Sequence, residues 1–117
     1  MHSLPVACEP QAFGSPESFA RHLTEGRRLL STALEKCELS DGWAVRLPNE
    51  DEMLLSSVCW TVDERRCCPF FTFVIEREPA PGALWVRITG PAEAKQVLAA
   101  GAYYALSSRP GAHKEPT

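Results

Sequence analysis

Apolar residues recur along the chain in blocks whose period alternates between helical and extended spacing, and the changes of period mark out the elements. Ser15-Pro16-Glu17 reads as a helix start, with Ser15 as N-cap, Pro16 at the first helical position and an acid in the first turn. Phe19, Leu23, Leu30, Leu34 and Cys37 then predict an apolar helix face running to the helix end. Gly26 weakens that helix locally. Asp41-Gly42 signals a turn, and Trp43 to Leu47 alternates as a half-buried strand with Trp43, Val45 and Leu47 inward. Asn49 and Glu52 have the spacing of a capping box, and Leu54, Leu55, Val58, Cys59 and Val62 predict the apolar face of a second helix. Pro69 disfavours helical geometry at Cys68, so this helix should stop at Arg66 or Cys67.

From Pro69 to Glu78 the period is two, with Phe71, Phe73 and Ile75 on one face and Phe70, Thr72 and Val74 on the other. Pro79-Ala80-Pro81-Gly82 breaks the run as a hairpin connection would, and Leu84, Val86 and Ile88 alternate with Trp85, Arg87 and Thr89 in a partner strand. Pro91 at a first helical position starts a last helix, whose apolar face is Ala94, Val97, Leu98, Gly101, Ala102 and Ala105. The order predicts a two-layer α+β fold, a small and mainly antiparallel sheet packed by about three helices. Residues 1–14 read as an irregular lead-in, 15–107 as a single domain and 108–117 as a disordered tail.

Composition narrows the function classes. At 117 residues the chain can bury one core without disulfides or metal. A net charge of −3 and only two basic pairs, Arg27-Arg28 and Arg65-Arg66, argue against a nucleic-acid partner. No apolar run is long enough to span a bilayer, and the first residues lack the pattern of a secretory leader, so a cytoplasmic location with no membrane partner is expected. A homodimer through Trp85 or a sheet edge is left open.

The cysteines carry the candidate chemistry. Five of them, Cys8, Cys37, Cys59, Cys67 and Cys68, form an odd set without a C-x-x-C pair, which predicts reduced thiols and excludes thioredoxin-type and zinc-ribbon spacings. Cys37 and Cys59, on predicted apolar helix faces, read as core. Cys67 and Cys68 sit where helix hands over to strand, and their α-carbons, about 3.8 Å apart across a trans peptide, are too close for a relaxed disulfide. Vicinal thiolates suit a soft ion, because coordination removes the thiol protons and the cation offsets the sulfur charges. Two sulfurs call for a third ligand, and Cys8 on the lead-in is the candidate. His2, His22 and His113 are scattered and read as solvated rather than as ligands. Glu64 reads most simply as a surface acid or ion-pair partner.

The run Glu64-Arg65-Arg66-Cys67-Cys68-Pro69-Phe70, the early Cys8 and the stretch Leu84 to Pro91 ending Ile-Thr-Gly-Pro resemble a family of small, uncharacterised bacterial proteins, also seen as domains attached to other modules. The resemblance spans most of residues 8 to 100. It implies a heavy-metal association and singles out Glu64, Cys67, Cys68 and Cys8, although Glu9-Pro10 departs from the apolar residue expected after the first cysteine.

These features give three functional expectations. The first is thiolate binding of a soft metal or metalloid, such as mercury, arsenite, copper(I) or zinc, or of another small thiol-reactive ligand, for sequestration, delivery or sensing. The second is a redox or nucleophilic enzyme in which Cys67 or Cys68 attacks, Glu64 moves a proton and Arg65 or Arg66 holds an anion; folding could bring His22 near. The third is an interaction domain whose cysteines only pack.

Overall fold

The computed structural model describes residues 10–94 and 113–114. A 3-10 turn, Pro10–Phe13, leads through Gly14 into helix α1, Pro16–Ser31. Ser15 caps α1 as expected, its Oγ accepting from the backbone N–H of Ser18 at 3.1 Å. The helix ends sooner than the apolar spacing predicts. Thr32 closes it by donating both its N–H and its hydroxyl to the Leu29 carbonyl, and Ala33 N–H donates to the Leu30 carbonyl. Leu34 N–H then donates to Arg46 across a ladder, and Glu35–Leu39 form strand β1. Cys37 therefore lies on a strand and not on the helix face expected for it, and Leu34 is exposed. Helical spacing continued through this segment only in the sequence, because pairing with the next strand satisfies its backbone better.

Strand β2, Gly42–Leu47, pairs antiparallel with β1 and with β4, Leu84–Thr89, while β3, Thr72–Arg77, pairs antiparallel with β4. The order is β3-β4-β2-β1-β5, where β5 is His113–Lys114, parallel to β1 and within the segment read as a tail. The turn at Asp41-Gly42 lets β2 approach β4 closely, since a Cβ on Gly42 would overlap the Ile88 carbonyl. Directly opposed residues share a sheet face. Trp43 opposes Ile88, Val45 opposes Val86, Leu47 opposes Leu84, and Phe73 and Ile75 oppose Ile88 and Val86. This face carries the buried core with Leu29 and Leu30 of α1 and Met53 and Trp60 of the second helix.

Helix α2, Asp51–Cys67, differs from expectation at its start and on its buried face. Its N-cap is Glu50, without a side-chain cap bond. Asn49 is used elsewhere, accepting from Arg77 Nε at 2.6 Å and donating to the Gly82 carbonyl at 2.9 Å, so it ties the helix to the β3–β4 hairpin instead of capping. The buried residues are Met53, Ser57, Trp60, Glu64 and Cys67, whereas Leu55, Val58, Cys59 and Val62 face solvent and Leu54 is half-buried. Two of the inward positions are polar and satisfied inside, Ser57 by donating to the Met53 carbonyl and Glu64 by His22. The helix stops at Cys67 as Pro69 requires, with Cys68 at φ −129° and ψ 75°.

Among the described residues two helices and a mainly antiparallel sheet form the α+β fold expected, against about three helices predicted. Pro91 to Glu93 form a turn in which the Pro91 carbonyl accepts from Ala94 N–H, and the rest of the third predicted helix lies outside the described residues.

Candidate metal centre

The last turn of α2 builds the site. Residues three and four apart share a helix face, so Glu64 stands beside Cys67 and, across the helix end, beside Cys68. A carboxylate oxygen of Glu64 and the Sγ atoms of Cys67 and Cys68 all lie within 4.8 Å of one another. All are buried, Glu64 at 4% exposure and each cysteine at 2%. Tetrahedral ligands at metal–sulfur bonds of about 2.3 Å stand about 3.8 Å apart, so small side-chain rotations bring these atoms onto one ion. Among the described residues this is the one such group.

Burying a carboxylate costs heavily unless it is hydrogen-bonded. His22 supplies that bond from the middle of α1, its Nε2 lying 2.7 Å from Glu64 Oε1, and since a carboxylate only accepts, the ring nitrogen is the donor whenever Glu64 is ionised. The imidazole is held between two aromatic rings. It stacks on Trp60 at 5.3 Å with 9° between planes and meets Phe13 at 4.8 Å. The aromatic set continues through Phe73, Phe71 and Phe70, so the run after Pro69 packs as core around the thiols.

His22 is therefore buried and paired, not solvated as its isolation in sequence suggests, and Glu64 is a core acid, not a surface one. The spacing Glu-x-x-Cys-Cys was the available signal, because it places a carboxylate and two thiols on one helical turn. No local spacing points to His22, which comes from a different helix and entered only as a residue that folding could bring near the pair.

The other cysteines are dispersed. Cys37 opposes Ala44, on the sheet face away from the helices. Cys59 is exposed, not core as expected. It lines a groove of about 590 Å³ between α1 and α2, together with Arg21, His22, Trp60, Asp63 and Arg66. His22 thus has the groove on one side and Glu64 on the other. Cys8 lies outside the described residues, as do His2 and much of the predicted third helix; no disulfide joins cysteines among the described ones. No helix among them is long and apolar enough to cross a membrane.

No family model, curated protein or solved structure matches the chain.

Proposed function

We propose that this chain binds one soft or borderline ion through the thiolates of Cys67 and Cys68 and the carboxylate of Glu64, in sequestration, delivery or sensing. The reading is carried by the convergence of these three buried side chains within 4.8 Å. Binding removes both thiol protons, leaving two sulfurs and one oxygen around the cation. This donor set suits zinc, while mercury and copper(I) can rely on the sulfurs alone. Cys8 is proposed as a further ligand, which arsenite would need most. Three anionic ligands on a divalent ion leave a net negative centre, and the imidazole N–H on Glu64 offsets part of it.

The burial of the thiols favours an ion over a larger reactant. A nucleophilic cysteine is usually partly exposed in an electropositive setting, whereas Cys67 and Cys68 are each 2% exposed and belong to the hydrophobic core.

The test is a count of reactive thiols on reduced, metal-free protein before and after titration with zinc, mercury, copper(I) and arsenite, followed by intact mass. One retained ion, protection of Cys67 and Cys68 and an unchanged, reactive Cys59 are expected. Equal retention by the Cys67→Ser, Cys68→Ser double variant would sink the reading. No retained ion, with one cysteine alkylating far faster than the rest, would replace it by thiol catalysis.

A further inference from the structure

The exposed residues of α2 are Asp51, Glu52, Leu55, Val58, Cys59, Val62, Arg65 and Arg66. They fall along one stripe of the helix, at spacings of three, four and seven. Leu55 is 65% exposed, Val58 42% and Val62 55%, and together they make a contiguous apolar run in mid-stripe of the kind that interaction surfaces use. The stripe also has an internal symmetry. Reversing the helix about the midpoint between Val58 and Cys59 carries Leu55 onto Val62, Val58 onto Cys59, Glu52 onto Arg65 and Asp51 onto Arg66. Every apolar residue maps onto an apolar residue and every acid onto a base.

That is the pattern an isologous two-fold contact requires, in which one patch must complement itself. We propose that α2 pairs antiparallel with α2 of a second copy of this chain, forming a symmetric homodimer. The two-fold axis passes between Val58 and Cys59. Leu55 packs on Val62 of the second copy, and beside the axis Val58 packs on Cys59 of the second copy. At each end the acids Asp51 and Glu52 face Arg65 and Arg66 of the second copy. Asp51 is already held by Arg77 at 2.8 Å, so Glu52 supplies the freer carboxylate. Trp85 and the sheet edge have no comparable self-complementarity: Trp85 is half-buried with Arg87 over its ring, and edge strand β3 is charged at Glu76 and Arg77.

The contact is small. α2 has 17 residues, and at a rise of about 1.5 Å per residue it is about 25 Å long. A single helix pair lies at the low end of specific interfaces, so dissociation in the micromolar range is expected. Leu55, Cys59 and Arg66 also line the groove beside His22, so the second copy covers one wall of that groove. This inference is independent of the metal reading, since none of the three ligands lies on the stripe.

The experiment is sedimentation velocity on the reduced, metal-free full chain from low to high micromolar concentration. A monomer–dimer equilibrium is expected, with Leu55→Glu raising the dissociation constant at least about tenfold, because dimerisation would bury an unpaired carboxylate at each symmetric position. Charge reversal adds a sharper arm. Asp51→Arg, Glu52→Arg in one chain and Arg65→Glu, Arg66→Glu in another should each abolish self-association, and an equimolar mixture of the two should restore a dimer. A short bis-maleimide should join Cys59 to Cys59 between copies, identified by peptide mapping. A chain that stays monomeric throughout, reversed chains that fail to pair while each retains the native circular dichroism spectrum, or a dimer indifferent to Leu55→Glu would overturn the proposal.

Discussion

At the scale of single residues, the site depends on one hydrogen bond between helices. Glu64 is buried, its Oε1 meets His22 Nε2 at 2.7 Å, and the ring is fixed by Trp60. A ligating carboxylate held in this way keeps its orientation without the entropy loss a mobile acid would incur on binding. Glu64→Gln would remove the proposed anionic oxygen ligand, so zinc affinity should fall about 10- to 100-fold, while mercury, which can rely on the sulfurs alone, should change much less. His22→Gln leaves all three ligands present and loses only their orientation, so a smaller loss for zinc is expected, by at most about tenfold. Competition against a chromophoric chelator measures both. Equal losses for zinc and mercury in Glu64→Gln would mean that the carboxylate supports the fold and not the ion.

At the scale of elements, the packing of α1 on α2 decides whether that bond can form. Gly26 lies against Trp60, and a Cβ there would stand 2.9 Å from Nε1 of the indole. Gly26→Ala would gain about 1 kcal/mol of helix propensity, yet it must displace a ring stacked on His22 and edge-on to Phe73. Overpacking of this kind costs about 1–3 kcal/mol, so net destabilisation, visible in urea unfolding, is expected. A stabilised variant would show that the helices separate easily. The same packing explains what the sequence discloses. The Ser15 cap, the Pro69 stop and the alternation of Trp43 to Leu47 and of Leu84 to Thr89 are local signals, and each appears where it was read. The inward face of α2 is not a local signal. Ser57 and Glu64 are polar, and their burial depends on the Met53 carbonyl and on His22. The apolar Leu55, Val58 and Val62 drew the reading to the opposite face, where the structure leaves them exposed. β1 was hidden for a related reason: Glu-Lys-Cys-Glu-Leu has no alternation of its own and becomes a strand by pairing with Gly42–Leu47.

At the scale of the whole molecule, the proposed ion binding should appear as stability, because the folded helix end holds Glu64, Cys67 and Cys68 together where the unfolded chain brings them together only transiently. Ligand at about 100 times its dissociation constant adds about 2.7 kcal/mol, which for a domain of this size raises Tm by roughly 10 °C. The unfolded chain competes, however, since it exposes five thiols that also take up soft ions, and the observed rise must fall below that bound. Competition fixes the sign in the control. In the Cys67→Ser, Cys68→Ser double variant the folded state keeps Cys37 buried and Cys59 exposed. Cys59 binds equally well folded or unfolded and contributes nothing, while Cys37 becomes available only on unfolding. The ion should therefore raise Tm of the native chain and leave unchanged or lower Tm of the double variant, in thermal scans at one protein concentration. A rise of equal size in both would place the ion elsewhere and remove the last turn of α2 as the metal centre.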